Sequence, residues 1–280
     1  MSYISGRIHL YASMDTQTNL TALKVLHITD CHLIENREGD LLGMKTHASL
    51  LAVLAQVRAD QRNPDLILVT GDIAQDGSIA AYQALKESLS GYSCPIAWFP
   101  GNHDNRENMQ QVGSAPGFLE KVKRFERWQV VLLDSLDSGQ VSGKLDQVEL
   151  DTLDRALQES EKHTLVCLHH HPVSVGSGWI DNIGLRNSEE FWQMLAGKSH
   201  LQGVLWGHIH QVYDEEKEGV RLLASPSTCI QFKPNSEGFA LDDLAPGYRW
   251  LELHADGRIE TEVVRAESFE YQLDMQSRGY

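Results

Sequence analysis

Five short segments of this chain carry the residue types of a metal-dependent active site. They are Asp30-Cys31-His32, Gly71-Asp72, Gly101-Asn102-His103-Asp104, His169-His170-His171-Pro172 and Gly207-His208-Ile209-His210. Taken singly each is weak, since an Asp behind a strand more often caps a helix or closes a turn. Their weight comes from a shared context: each follows an apolar, strand-like run, at residues 24–29, 65–69, 95–99, 164–168 and 201–206. A buried strand that stops in polar, coordinating side chains places chemistry at the end of a sheet, where open α/β folds keep their sites.

The chemistry follows from the donor types. In an extended chain alternate residues point the same way, so Asp30 and His32 can face one ion, as can His208 and His210. Asp30, Asp72, Asn102, His32, His169, His208 and His210 make a mixed set of carboxylate, amide and imidazole donors. Such a set suits Zn, Mn or Fe(II) rather than Ca or Mg. Seven donors exceed the needs of one ion and satisfy two if one carboxylate bridges them. Two cations about 3.5–4 Å apart can supply hydroxide from water at neutral pH and clamp the phosphoryl oxygens of an in-line displacement. His103, beside a ligand, can donate to a phosphoryl oxygen or protonate the departing oxygen, with Asp104 orienting it.

The elements that must position these groups read as a βαβ progression. A helix from about His47 to Ala59, with Thr46 as its cap, carries Leu50, Leu51, Leu54 and Val57 at helical spacing. Ser78 starts another, with Ala81, Tyr82, Leu85 and Leu89 on one face. Strand, helix, strand, helix, strand predicts a mostly parallel sheet. In the second half a strand over 128–133 ends in Asp134-Ser135, and residues 146–161 and 188–195 read as helices. Beyond His210 the pattern turns antiparallel: strands over 221–224, 248–254 and 258–264, the last two joined by Asp256-Gly257. Asp214-Glu215-Glu216 reads as a solvated hairpin tip, residues 1–22 as a loose arm, and 266–280 as a surface tail, leaving one domain over 1–280.

The five-part order resembles the calcineurin-like metallophosphoesterases, over about residues 24–254. The resemblance implies an α/β (α+β) fold of four layers, two mixed sheets packed face to face and flanked by helices. It implies one metal on Asp30, His32, Asp72 and His210, and a second on Asp72, Asn102, His169 and His208, with Asp72 bridging. It places a nucleotide phosphate against His32, Asp72, Asn102, His103 and His210, and makes His103 and Asp104 the catalytic pair. The metals it implies are an iron and manganese pair, with zinc or cobalt as alternatives. Residues 169–172, Trp179-Ile180-Asp181, Leu185-Arg186-Asn187 and residues 226–234 are further similar to the bacterial class III cyclic nucleotide phosphodiesterases. These commonly have His-His-Pro-Pro where this chain has His-His-His-Pro, and lining up Pro172 puts the ligand at His169. The implied reaction is hydrolysis of 3′,5′-cyclic AMP to 5′-AMP; a broad or glycerophosphodiester phosphodiesterase on the same centre, and a non-catalytic scaffold, are the alternatives. Trp179, Arg186, Asn187, Gln231 and Phe232 are open between a nucleoside pocket and packing roles; His170 and His171 read as loop packing, and His163, His200 and His254 as surface positions.

Composition bounds the partners. With 24 Lys+Arg against 39 Asp+Glu, the 280-residue chain carries a formal charge of −15, which repels polyanions and argues against nucleic acid. An anionic substrate must then be attracted locally, as bound cations would do. Cys31, Cys94, Cys167 and Cys229 lack C-x-x-C spacing and read as free, packed thiols, Cys31 packing inward rather than binding metal. With no apolar span and no h-region in residues 1–20, the expectation is a cytoplasmic protein away from membranes, acting on a small cyclic nucleotide.

Overall fold

The computed structural model describes residues 21–114 and 117–279. The arm expected over residues 1–22 therefore falls, but for its last two residues, outside the described residues.

Two sheets face one another. The first runs in the order Ile259–Arg265, Gly247–Leu253, Leu23–Ile28, Leu66–Thr70, Ile96–Phe99. Its last three strands are parallel and the other pairings antiparallel. The second runs Tyr213–Lys217, Val220–Ala224, Leu201–Trp206, His163–Cys167, Trp128–Leu132, Val122–Arg124. It is parallel through its middle and antiparallel at both edges.

The period of two explains why nearly every strand residue is apolar. Val25, Leu66, Leu68, Ala97 and Phe99 point inward against Trp128, Val130, Leu132, Leu165, Cys167 and Leu205 of the other sheet. Leu26, Ile28, Ile67, Val69 and Trp98 point outward, onto helices Thr46–Ala59 and Ile79–Ser88. Val131, Val166, Val204 and Trp206 do the same on the other side, onto Gln147–Gln158 and Ser188–Leu195. Helix, sheet, sheet, helix is the four-layer arrangement that the resemblance implied, and both sheets end at the same edge in the polar segments.

Some local expectations are corrected. Lys45, not Thr46, is the N-cap of the first helix and its side chain makes no capping bond, whereas Ser78 and Asp146 do cap theirs. Asp214-Glu215-Glu216 lie within the edge strand Tyr213–Lys217; the turn is Glu218-Gly219, where positive φ is needed. An acidic edge strand resists pairing with other chains. Val220–Ala224 pairs parallel with Leu201–Trp206 as well as antiparallel with the edge. The segment after Arg265 has no helix or strand among the described residues, yet it is anchored: Ala266 is buried, Phe269, Tyr271 and Leu273 pack on the core, and Tyr271 Oη donates to the Asp243 carbonyl. The His163 ring is half-buried, 5.4 Å from Trp128 and tilted 48° to it, so it is packed rather than free on the surface. No helix among the described residues is long and apolar enough to cross a membrane.

Candidate metal centre

Asp30, His32, Asp72, Asn102 and His103 sit on the loops that leave the first sheet; His169, His208 and His210 leave the second. The site is thus built across the sandwich. Asp30, His32, Asp72, His169, His208 and His210 are buried, while Asn102 and His103 are half-buried and form the side open to solvent.

The aiming device differs from the expected pleat. Asp30, His32, Asp72, His208 and His210 all have positive φ, between 45° and 67°. Non-glycine residues rarely adopt this conformation, which costs about 1–3 kcal/mol each. Each strand end therefore curls into a left-handed turn, and it is that turn, not strand alternation, that sets the direction of Asp30, His32, Asp72, His208 and His210. Three glycines make room. A Cβ on Gly71 would clash with His169 Nδ1, one on Gly101 with Asp72 Oδ1, and one on Gly207 with the Thr29 hydroxyl.

Hydrogen bonds fix which imidazole nitrogen faces inward. His32 Nδ1 lies 2.5 Å from Gln75 Oε1, His210 Nδ1 2.8 Å from the Ile230 carbonyl, and His169 Nδ1 2.8 Å from the Thr70 carbonyl. All three partners are acceptors, so Nδ1 carries the proton and Nε2 presents a lone pair. Those lone pairs converge. His32 Nε2 and His210 Nε2 are 3.1 Å apart, His210 Nε2 is 3.3 Å from Asp30 Oδ1, and His169 Nε2 is 3.2 Å from Asp72 Oδ2. Asn102 Oδ1 is buried without a hydrogen-bond partner. Lone pairs facing one another and two buried carboxylates are repulsive unless positive charge sits between them. Although burial acts against it, Asp72 and Asp30 push His169 up to about 9, the same demand for a cation expressed as proton affinity. Asp30, His32 and His210 converge on one point, and Asp30, Asp72 and His169 on another. These donors fit two metal ions, with Asp72 between His32 on one side and His169 on the other.

His208 is held by its backbone amide, which donates to both Asp30 oxygens at 3.1 Å, and by Nε2–H on the Ile183 carbonyl, so Nδ1 is the ring nitrogen that keeps its lone pair. His170 lies near His169 and His208, but its ring is used up: Ser135 Oγ donates to Nδ1 at 2.8 Å and Nε2 donates to the Val141 carbonyl at 3.0 Å. His171 stacks on His208. Hydrogen bonds hold the His170 ring, and stacking on His208 holds that of His171. Cys31 is fully buried against the outer core.

Asp104 is placed differently from the expectation that it orients His103. Its Oδ2 accepts from the amides of Ile73 and Gly101, its Oδ1 from the Ala74 amide and the Tyr82 hydroxyl, all within 2.9–3.1 Å. Four donors fill a carboxylate. Asp104 is a positioning residue that ties the Asp72 turn to the Asn102 loop. His103 is oriented instead through its own amide, which donates to Asp72 Oδ1 at 2.9 Å, with its ring edge-on to His32 at 5.0 Å. Residues 226–234 prove to be a buttress: Ser227 Oγ donates to the Asp30 carbonyl and Phe232 stacks on His210 at 4.2 Å. Gln231 turns inward onto the Ser227 and Cys229 carbonyls, Asn187 bonds Leu145, and Arg186 pairs with Asp137. Sequence reasoning missed Gln75, Ser135, Tyr82 and the carbonyls of Thr70, Ile183 and Ile230; backbone acceptors leave no mark in a sequence.

The chain is similar to known proteins over most of its length. The profile of the family described as calcineurin-like phosphoesterase matches residues 23–212. The chain is 44% identical over 267 residues to the 3′,5′-cyclic adenosine monophosphate phosphodiesterase CpdA of Pseudomonas aeruginosa, covering 95% of this chain and 98% of that one. It is 45% identical over 263 residues to CpdA of Escherichia coli (strain K12), covering 92% and 95%. Among solved structures, a dimetal phosphatase from Danio rerio superposes with a TM-score of 0.62 at 16% identity, over 88% of this chain and 99% of that one, which speaks to the fold alone.

Proposed function

We infer the activity from one premise: the chain belongs to the calcineurin-like phosphoesterase family. Within it, the chain is a metal-dependent phosphodiesterase that hydrolyses 3′,5′-cyclic AMP to 5′-AMP. The observation that carries this reading is the 44–45% identity to two CpdA enzymes over nearly the whole of each chain, with every expected donor present.

We propose that Asp30, His32, Asp72 and His210 hold one ion and Asp72, Asn102, His169 and His208 the other, the pair being iron and manganese among the Zn, Mn and Fe(II) that such a donor set suits. When bound, the two ions supply Lewis acidity and neutralise charge on the phosphoryl oxygens. The chain's own groups do the rest. Asn102 and His103 lie on the half-exposed side, where a substrate enters. His103 is placed to give a proton to the sugar oxygen that departs, or to hold a phosphoryl oxygen, while its amide keeps it registered to Asp72. Asp104 and Tyr82 keep that loop rigid, so the geometry is preset before substrate arrives. We place the enzyme in the cytoplasm, a reducing compartment that suits its four free cysteines.

Steady-state kinetics on 3′,5′-cyclic AMP, 3′,5′-cyclic GMP, a 2′,3′-cyclic nucleotide and a glycerophosphodiester test the assignment. The highest kcat/KM is expected for 3′,5′-cyclic AMP. A preference for the glycerophosphodiester would reassign the substrate and leave the metal centre standing.

A further inference from the structure

The layer between the two sheets is largely apolar, and its buried polar groups include the His27 imidazole and, beside it, Arg249, whose guanidinium donates to the Tyr213 and Ala224 carbonyls of the opposite sheet. His27 lies in the middle of strand Leu23–Ile28, fully buried, at a position where Val25 points into the inter-sheet core. A polar ring there is costly unless both nitrogens are satisfied. They are: Nδ1 is 2.5 Å from Ser225 Oγ, which follows strand Val220–Ala224 of the opposite sheet, and Nε2 is 2.7 Å from Thr70 Oγ1.

From there the contacts continue to the metal centre. Thr70 Oγ1 lies 2.9 Å from Thr29 Oγ1, and Thr29 Oγ1 donates to the Thr70 carbonyl at 3.2 Å. That same carbonyl accepts the Nδ1–H of His169. Only one direction of protons satisfies the chain. A carbonyl can only accept, so Thr29 donates to it; Thr29 then accepts from Thr70, Thr70 from His27 Nε2–H, and His27 Nδ1 from Ser225. This requires a neutral His27, and burial, with Arg249 adding to it, lowers that ring to about 3. Gly207 leaves the space the Thr29 hydroxyl occupies, since a Cβ there would clash with it.

We propose that Ser225, His27, Thr70 and Thr29 form a directional hydrogen-bond chain that positions the metal centre. It acts in two ways. It locks the carbonyl that fixes the tautomer of His169, and it staples the sheet bearing Asp30 and Asp72 to the sheet bearing His169, His208 and His210. Thr29 and His27 are positioning residues, not ligands. The inference rests on His169 being a metal ligand.

The test uses the manganese-loaded protein and reads metal retained per chain against rising chelator concentration. Thr29→Val removes the hydroxyl without changing shape. It should release one of the two manganese equivalents at about 10–100-fold lower chelator, the effect typical of a lost ligand-orienting partner. Thr29→Ser should restore retention, which a merely structural role for the methyl would not do. His27→Gln combined with Ser225→Ala cuts the chain at its far end, serves should Thr29→Val fail to fold, and should act on the same equivalent. His169→Ala separates the premises. If His169→Ala loses one equivalent while Thr29→Val and the His27 pair retain both as wild type does, the hydrogen-bond chain is overturned and the centre stands. If His169→Ala itself retains both, the ligand assignment falls instead.

Discussion

Replacing Gly101 by alanine puts a methyl group where the centre has no space for one. A Cβ built there falls 2.5 Å from the Asp72 amide nitrogen and 2.7 Å from His169 Nε2, with Asp72 Oδ1 nearer still. Ordinary contact begins near 3.4 Å, so the imidazole must retreat by at least about 0.7 Å, the difference between 2.7 and 3.4 Å. It cannot do so freely: its ring is fully buried and its Nδ1 is bonded to the Thr70 carbonyl. Nor can Asp72 rotate away, because Oδ1 holds the His103 amide. A displacement approaching 1 Å at the reacting groups costs on the order of 10²-fold in rate. Overpacking adds about 1–3 kcal/mol of instability. Gly101→Ala should therefore show a kcat on cyclic AMP at least about 10²-fold below wild type, weaker retention of one metal equivalent, and a lower Tm with unchanged far-UV circular dichroism. Gly91→Ala, where a Cβ meets nothing within 4 Å, is the control and should behave as wild type. Wild-type kcat and metal content in Gly101→Ala would refute the close-approach reasoning.

Three further outcomes are expected. His103→Ala should retain both metals while kcat falls roughly 10²–10⁴-fold, with a smaller loss on a nitrophenyl phosphodiester whose leaving group needs no proton; loss of metal would make His103 a ligand. Cys31, Cys167 and Cys229 are fully buried, and burial pushes the Cys31 thiol up to about 12, so a thiol reagent should titrate about one group, Cys94, in the native protein and all four in denaturant. Burial holds His27 neutral down to about 3, His171 to about 4, and His170 well below 6.5. Unfolded, each titrates near 6.5 and binds the extra proton, so stability falls as pH drops below that value, approaching about 2.5 kcal/mol per pH unit near pH 5 for His27 and His171 together, with His170 acting in the same direction. A urea midpoint that does not move between pH 7 and pH 5 would contradict this.

The residue types of the centre and the order of the strands that present them were legible because both leave direct marks. An apolar run ending in Asp30, or in His208 and His210, records a buried strand and a coordinating turn together. The left-handed backbone of Asp30, His32, Asp72, His208 and His210 was not legible, because nothing in the local composition distinguishes it from an extended Asp-x-His. Gly71 and Gly207 were visible as residues, yet what they make room for, His169 and Thr29, comes from strands distant in sequence. Asp104 was misread for a related reason. Its three amide donors belong to residues 73, 74 and 101, and only the last is near it in sequence. The anchored segment after Arg265 carries Phe269, Tyr271 and Leu273 without helical or alternating spacing, and such irregular packing is invisible to periodicity.

Product analysis in ¹⁸O-labelled water tests the central claim most directly. Metal-loaded protein is mixed with 3′,5′-cyclic AMP, and the nucleotide product is separated and weighed, before and after exhaustive chelation and again after manganese is restored. The account predicts 5′-AMP carrying one ¹⁸O on phosphorus, no product after chelation, and recovery with manganese at about two equivalents per chain. 3′-AMP as the main product, or undiminished turnover in the chelated protein, would contradict it.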